Sequence, residues 1–102
     1  MRLLSVNAAT VLNAFLSAPD VPRYGYELMQ DTGIKSGSLY PVLGRFERLG
    51  WINGTLEPTD SGRPPRRVYR FNPECQAEAA AQLDRFFVAK QIPASDLGPW
   101  GA

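Results

Sequence analysis

The sequence predicts a mainly α fold with one small β-hairpin: a winged helix-turn-helix followed by a C-terminal helix. Three observations lead there. Three short helical patterns precede Gly50. Two short strand patterns then flank a loop rich in proline and arginine, Ser61-Gly62-Arg63-Pro64-Pro65-Arg66-Arg67. An alanine-rich amphipathic stretch follows from Glu74. Helix, helix, helix, strand, wing, strand, helix is the order of a winged helix-turn-helix with one added helix.

Each element has a local reason. Ser5 to Ser17 reads as the first helix, because Ala8, Val11, Leu12 and Phe15 fall on one helical face. Ala18-Pro19-Asp20-Val21-Pro22 stops it. Tyr24 to Thr32 reads as a second, short helix with Leu28 and Met29 as core residues, and Gly33 ends it in the left-handed conformation. Ser36 is the expected N-cap of a third helix over residues 37–49. Its apolar stripe is Leu39, Val42, Leu43, Phe46 and Leu49, and Pro41 falls early, where a missing N–H costs least. Gly50 closes it. Residues 51–57 alternate as a strand with Ile52 and Leu56 on one face. Pro58–Pro65 forms the loop, and Arg66–Phe71 is the return strand with Tyr69 and Phe71 on one face.

The last helix is predicted over Glu74 to about Gln91. Ala79, Ala80, Leu83, Phe86 and Phe87 form one apolar stripe, and Ala77, Ala81 and Val88 form a second. A helix apolar on two sides has more surface to hide than one small domain covers, so a partner helix is expected over it. The predicted organisation is a DNA-binding head over residues 1–72, a dimerisation helix over 73–91 and a flexible tail over 92–102 anchored only by Trp100.

The bulk composition narrows the function. The 102 residues suffice for one domain and one modest core, and 44% hydrophobic content favours folding over disorder. No apolar run approaches the ~20 residues of a membrane span, and the expected setting is the cytoplasm. A single cysteine, Cys75, allows no intrachain disulfide and no zinc cluster. Cys75 reads as a small buried apolar residue, with a redox switch as the alternative. There is no histidine, no Ser/His pair and no phosphate-cradling glycine loop, so no enzyme, cofactor or metal centre is expected.

The net charge of +1 is weak for a nucleic-acid binder, but its distribution is not. Residues 35–70 carry seven basic side chains against three acidic ones, a net +4; the flanking segments carry −1 and −2. Positive charge is concentrated where a groove-reading helix and a hairpin are predicted, the footprint of a protein that lies across duplex DNA. The candidate contacts are Lys35, Ser36, Ser38, Tyr40, Pro41, Arg45 and Arg48 on the third helix and Arg63, Arg66 and Arg67 on the wing. Hydroxyls near a helix N-terminus suit phosphates or base edges, and arginines suit phosphate or guanine. Competing readings are an ion pair of Arg45 or Arg48 with Glu47, Glu27 or Asp31, and a solvated hairpin whose charges serve solubility. Arg70 reads as a strand-packing or ion-paired residue. Tyr24 and Tyr26 read as packing residues with a hydroxyl tie to a neighbouring element, with phosphate contact as the alternative. Trp51 reads as packing ahead of ligand stacking.

These residues resemble the PadR family of bacterial transcription regulators over about residues 3–91. The resemblance rests on Tyr24-Gly25-Tyr26-Glu27-Leu28, Ser36-Gly37-Ser38-Leu39-Tyr40-Pro41-Val42-Leu43, Arg45 with Glu47, Gly50-Trp51-Ile52, and Gly62-Arg63-Pro64-Pro65-Arg66-Arg67-Val68-Tyr69-Arg70-Phe71. The Leu-Tyr-Pro core followed by a Gly-Arg-Pro wing is its most specific part. It implies a homodimeric DNA-binding regulator, usually a repressor, joined through the C-terminal helix. Two positions depart from the family pattern. Asn72-Pro73-Glu74-Cys75 stands where a Thr-x-x-Gly corner is usual, and Gly44 stands where a long or basic residue is common.

The leading functional reading is a dimeric repressor at an inverted-repeat operator, with Ala79, Ala80, Leu83, Phe86 and Phe87 at the dimer contact. A second class is a sensor of a small planar aromatic effector, with Trp51, Trp100, Phe86 or Phe87 lining a pocket. A third is a winged-helix module that binds protein instead of DNA.

Overall fold

The computed structural model describes residues 3–90. The elements are α1 (Val6–Ser17), β1 (Arg23–Tyr24), α2 (Gly25–Thr32), α3 (Ser36–Arg48), β2 (Ile52–Glu57), β3 (Arg66–Phe71) and α4 (Gln76–Lys90), with a single 3-10 turn, Pro73–Cys75, ahead of α4. The three strands form one antiparallel sheet in the order β1-β3-β2. The tail with Trp100 lies outside the described residues.

Helix α1 is the centre of the domain. The Ser5 side chain caps it by accepting the Ala8 N–H at 3.1 Å. Beyond the expected face, Ala9, Thr10 and Ala14 are also buried, because α2, α3 and α4 all pack against this helix. Thr10 tolerates burial by donating its hydroxyl to the Val6 carbonyl at 2.7 Å. Leu28 from α2, Leu39, Leu43 and Phe46 from α3, and Ile52, Tyr69 and Phe71 from the sheet complete the core with Ala79, Leu83 and Phe86 of α4.

Several boundaries differ from the sequence expectation. Strand β1 was not foreseen; it exists because Arg23 and Tyr24 pair with Tyr69 and Val68 of β3. Tyr24 therefore ends a strand and precedes α2, its N–H donating to the Glu27 carboxylate at 3.0 Å. The N-cap of α3 is Lys35, not Ser36, and no side chain caps that end. Pro41 is consequently the sixth helical residue, past the first turn, and the Gly37 carbonyl loses its helical partner. Leu49 follows the helix and stays 37% exposed, at the margin of the stripe. Leu56 shares a sheet face with buried Ile52 but is 62% exposed, because the hairpin runs past the edge of the core.

Gly33 and Gly54 are both required by geometry. Gly33 ends α2 at φ 73°, its N–H donating to the Met29 carbonyl at 2.9 Å. Gly54 lies opposite Tyr69, where a Cβ would come within 2.9 Å of the ring and 3.3 Å of the Glu47 carboxyl carbon. The altered corner before α4 still functions as a cap. The Asn72 side chain accepts the Glu74 N–H at 3.0 Å and donates to the Gly50 carbonyl at 3.2 Å. The Cys75 thiol donates to the same carbonyl at 3.4 Å.

Candidate nucleic-acid interface

Helix α3 divides into three strips around its axis. Leu39, Leu43 and Phe46 are buried in the core. Tyr40 and Glu47 flank the side towards the sheet: Glu47 lies at Gly54, and both residues neighbour Tyr69. Gly37, Pro41, Gly44 and Arg48 form the outward ridge at helical spacing, with Ser38 and Arg45 on its other flank. The ridge is low. Gly37 and Gly44 have no side chain, so the helix backbone itself can approach a neighbouring surface closely. Arg48 folds back along the ridge, its Nη1 reaching the space above Gly44.

The start of α3 is open to solvent. Lys35, Ser36, Gly37 and Ser38 are all exposed, and the positive end of the helix dipole emerges there beside the Lys35 ammonium. Tyr40 is 41% exposed and lies partly against α2, its ring passing over Gly25. Any side chain at residue 25 would collide with it, so Gly25 sets how close Tyr40 lies to α2. Among the described residues neither Arg45 nor Arg48 is ion-paired. Asp31 is taken by Arg23, which also donates to the Ala14 carbonyl at 3.1 Å and fastens β1 to α1 and α2.

The hairpin extends this surface. On β3 the side chains alternate, so Arg67 shares a face with Tyr69 and Phe71, and Arg66 shares the opposite face with Val68. Tyr69 is buried, and its phenol is pushed up to about 12; burial is the main cause, Arg67 pulls it down, and Tyr40 and Glu47 push it up. The approach of Glu47 and the Tyr69 ring to Gly54 sets the Arg67 face of the hairpin beside α3. Exposed Leu56, directly opposite Arg67, lies on that same face. Arg63 is exposed in the wing loop, which the Thr59 hydroxyl closes by donating to the Arg63 carbonyl at 2.7 Å.

Arg66 is placed differently from its neighbours. Its Nη2 is 3.5 Å from the Glu57 carboxylate, and its guanidinium carbon lies 4.8 Å from the centre of the Tyr24 ring. The Tyr24 hydroxyl donates to the same Glu57 oxygen at 2.8 Å. The hydroxyl tie expected of Tyr24 therefore runs to the wing. Glu57 was missed as a partner, although strand limits at 57 and 66 already place it opposite Arg66. Arg70 is exposed and makes no ion pair among the described residues.

The expected dimerisation stripe is largely used within the chain. Ala79, Leu83 and Phe86 are buried against the core, and Ala80 and Phe87 are half-buried on its flank. The second stripe, Ala77, Ala81 and Val88, is the exposed one, with Val88 79% exposed. Trp51 and Phe86 also do not line a pocket. Trp51 is fully buried with its ring centre 5.3 Å from that of Phe46, and Phe86 fills the core.

A helix-turn-helix with an exposed reading helix and a basic wing defines the winged-helix class of DNA-binding modules. A sequence profile of the transcriptional regulator PadR-like family matches residues 15–81, more than half of the chain, and the chain belongs to that family. It is a DNA-binding transcription regulator and not an enzyme. Solved structures agree on the fold. A PadR family transcriptional regulator from Eggerthella lenta matches with TM-score 0.65 and 24% identity over 84% of this chain and 80% of the other. A PadR family regulator from Clostridium difficile matches with TM-score 0.63 and 20% identity over 89% and 98%. The circadian clock associated protein Pex from Anabaena matches with TM-score 0.63 and 22% identity over 84% and 78%. Among curated proteins none matches the sequence significantly. No helix among the described residues is long and apolar enough to cross a membrane.

Proposed function

We propose that this regulator acts as a homodimeric repressor that reads an inverted-repeat operator with α3 and grips the flanking backbone with the wing. The observation that carries the reading is the continuity of α3 with the Arg67 face of the hairpin, where Glu47 and Tyr69 both close on Gly54. On this reading Lys35, Ser36 and Ser38 meet phosphates at the helix start, and Tyr40, Pro41 and Arg45 meet base edges. Arg48 and the wing cations Arg63 and Arg67 neutralise the backbone. The low ridge of Gly37 and Gly44 lets α3 seat deeply in a major groove about 12 Å wide. Two copies related by a two-fold axis would demand half-sites about one helical turn apart, or a multiple.

The dimer contact in this proposal is the second stripe of α4, with Ala77, Ala81 and Val88 central and Ala80 and Phe87 at its edge. Apart from Asp84 it is apolar and exposed, whereas the first stripe already has its cover. The head over residues 1–72 would then be carried by a dimerisation arm that starts at the 3-10 turn. Val88→Asp should give a folded monomer in sedimentation with weakened operator binding; a stable dimer of this variant would rule out the second stripe. Gel shift of the full chain on duplex DNA flanking its own gene, against random-sequence competitor, tests the reading as a whole. A retained specific complex is expected. A chain that shifts neither duplex at low salt would be a protein-binding module instead.

A further inference from the structure

Two adjacent arginines of the wing face opposite ways. Arg67 points to the α3 side of the hairpin with Tyr69, and Arg66 points to the far side with Val68. On that far side two groups converge on one carboxylate. Glu57, directly opposite Arg66 across the β2–β3 pair, accepts the Tyr24 hydroxyl at 2.8 Å and pairs with Arg66 at 3.5 Å. The Arg66 guanidinium covers the Tyr24 ring at 4.8 Å, and Tyr26 stacks on Tyr24 with ring centres 5.6 Å apart. Tyr24 belongs to β1 and directly precedes α2. The cluster thus joins the distal end of the wing strands to the start of the helix-turn-helix, outside the hydrophobic core.

We propose that Tyr24, Glu57 and Arg66 are a positioning tie that sets the angle of the wing against α2 and α3, and that Arg66 is not a phosphate contact. The proposal rests on the DNA-binding reading above and deepens it. The tie holds at the last β2–β3 pair, where Leu56 and Glu57 have left the core. Without it, the wing beyond the β1 pairs at Val68 and Tyr69 would be held by two-stranded pairing, which is marginal in water, and by the Thr59–Arg63 bond within the loop. Within it, Glu57 neutralises Arg66, so the two adjacent arginines add one net positive charge to the wing rather than two. Arg63 and Arg67 do the gripping; Arg66 fixes where they stand.

The test compares Arg66→Ala, Glu57→Gln and Tyr24→Phe with Arg63→Ala in the full chain, using a short random-sequence duplex. Each phosphate neutralised contributes about 0.9 to the steepness of log K against log salt. Arg63→Ala should flatten the slope by about that amount, and Arg66→Ala should leave it unchanged. Glu57→Gln should steepen it by up to about 0.9, because it releases Arg66 to a phosphate. A second readout needs no DNA: the backbone amide heteronuclear NOE of residues 59–64 should fall in Tyr24→Phe, Glu57→Gln and Arg66→Ala but not in Arg63→Ala. Flattening by Arg66→Ala equal to that by Arg63→Ala, with an unmoved slope in Glu57→Gln, would make Arg66 a phosphate contact and overturn the proposal. Wing NOE values equal to the parent's in Tyr24→Phe and Glu57→Gln would overturn it as well. If the parent binds no duplex, the DNA-binding reading falls, and the NOE comparison still decides the tie.

Discussion

Two arms leave the α1-centred core, the β2–β3 hairpin and α4, and they are exposed in opposite ways. The hairpin is buried at one end, where Ile52, Tyr69 and Phe71 enter the core, and charged at the other, where Arg63 and Arg67 stand in solvent. Helix α4 is buried along one side from Ala79 to Phe86, and its other side carries Ala77, Ala81 and Val88 around Asp84. Cations without counter-charges suit a polyanion. A small-residue apolar stripe suits another apolar helix. On the proposed reading the labour divides accordingly: one arm offers charge to DNA, and the other offers apolar surface to a second copy.

The largest effect expected comes from breaking the buried side of α4. Phe86 is fully buried and packs in the core with Leu83 and Ala79. Phe86→Ala should cost about 3–5 kcal/mol, the lost transfer energy plus the cavity, a large share of the stability of a domain this size. Urea denaturation should show it as a large drop in midpoint that increasing protein concentration does not recover. A drop that disappears as concentration rises would mean that Phe86 packs across a dimer contact instead.

The hairpin has its own buried hinge, smaller in scale. Gly54→Ala places a methyl group against the Tyr69 ring and the Glu47 carboxylate. Overpacking of this kind costs about 1–3 kcal/mol. Thermal unfolding should register that loss, and the wing should tilt away from α3, lowering affinity for DNA along with it. A variant as stable as the parent would show that the hairpin stands off α3 more freely than the Gly54–Tyr69 contact implies.

The elements of both arms were readable in the sequence; what they pack against was less so. The stripe of Leu39, Leu43 and Phe46 and the stop at Gly33 are local, and local rules found them. Both stripes of α4 were visible, but periodicity does not say which one the chain itself covers. The larger residues, Leu83 and Phe86, went inward. Alternation put Leu56 on the face of Ile52, yet only the tertiary structure shows that the core ends before it. Strand β1 has two residues and no pattern of its own; pairing with β3 creates it. The candidate arginines were legible as cations. Which of them faces α3 and which pairs with Glu57 depends on strand facing and register, which a bare charge count cannot show.

A smaller effect separates reading from folding on α3. Tyr40 lies half in solvent with the hydroxyl end of its ring over Gly25. Tyr40→Phe keeps that ring and removes the hydroxyl. Operator affinity should fall by about 0.5–1.5 kcal/mol, the net value of one hydrogen bond, with the melting temperature nearly unchanged. The reverse outcome, a lower melting temperature and intact binding, would move Tyr40 from the proposed DNA-facing surface of α3 to the structural core.

The last effect is silent at neutral pH and appears only in alkali. Burial raises the Tyr69 phenol from its ordinary 10 to about 12. Above pH 10 the unfolded chain gives up this proton while the folded chain still holds it. Unfolding then releases a proton, so stability declines from about pH 10 and the contribution of Tyr69 is lost by about pH 12. Tyr24 adds to the same trend, because the hydrogen bond to Glu57 raises it too. Tyr69→Phe keeps the ring against Gly54 and abolishes the titration. Its stability should match the parent's near neutrality, within the small cost of a lost hydroxyl, and decline less steeply between pH 10 and 12. Denaturant midpoints across that range give the comparison. Superimposable alkaline limbs for parent and variant would mean that the Tyr69 hydroxyl is hydrated, and that the hinge between core and wing is wetter than its burial implies.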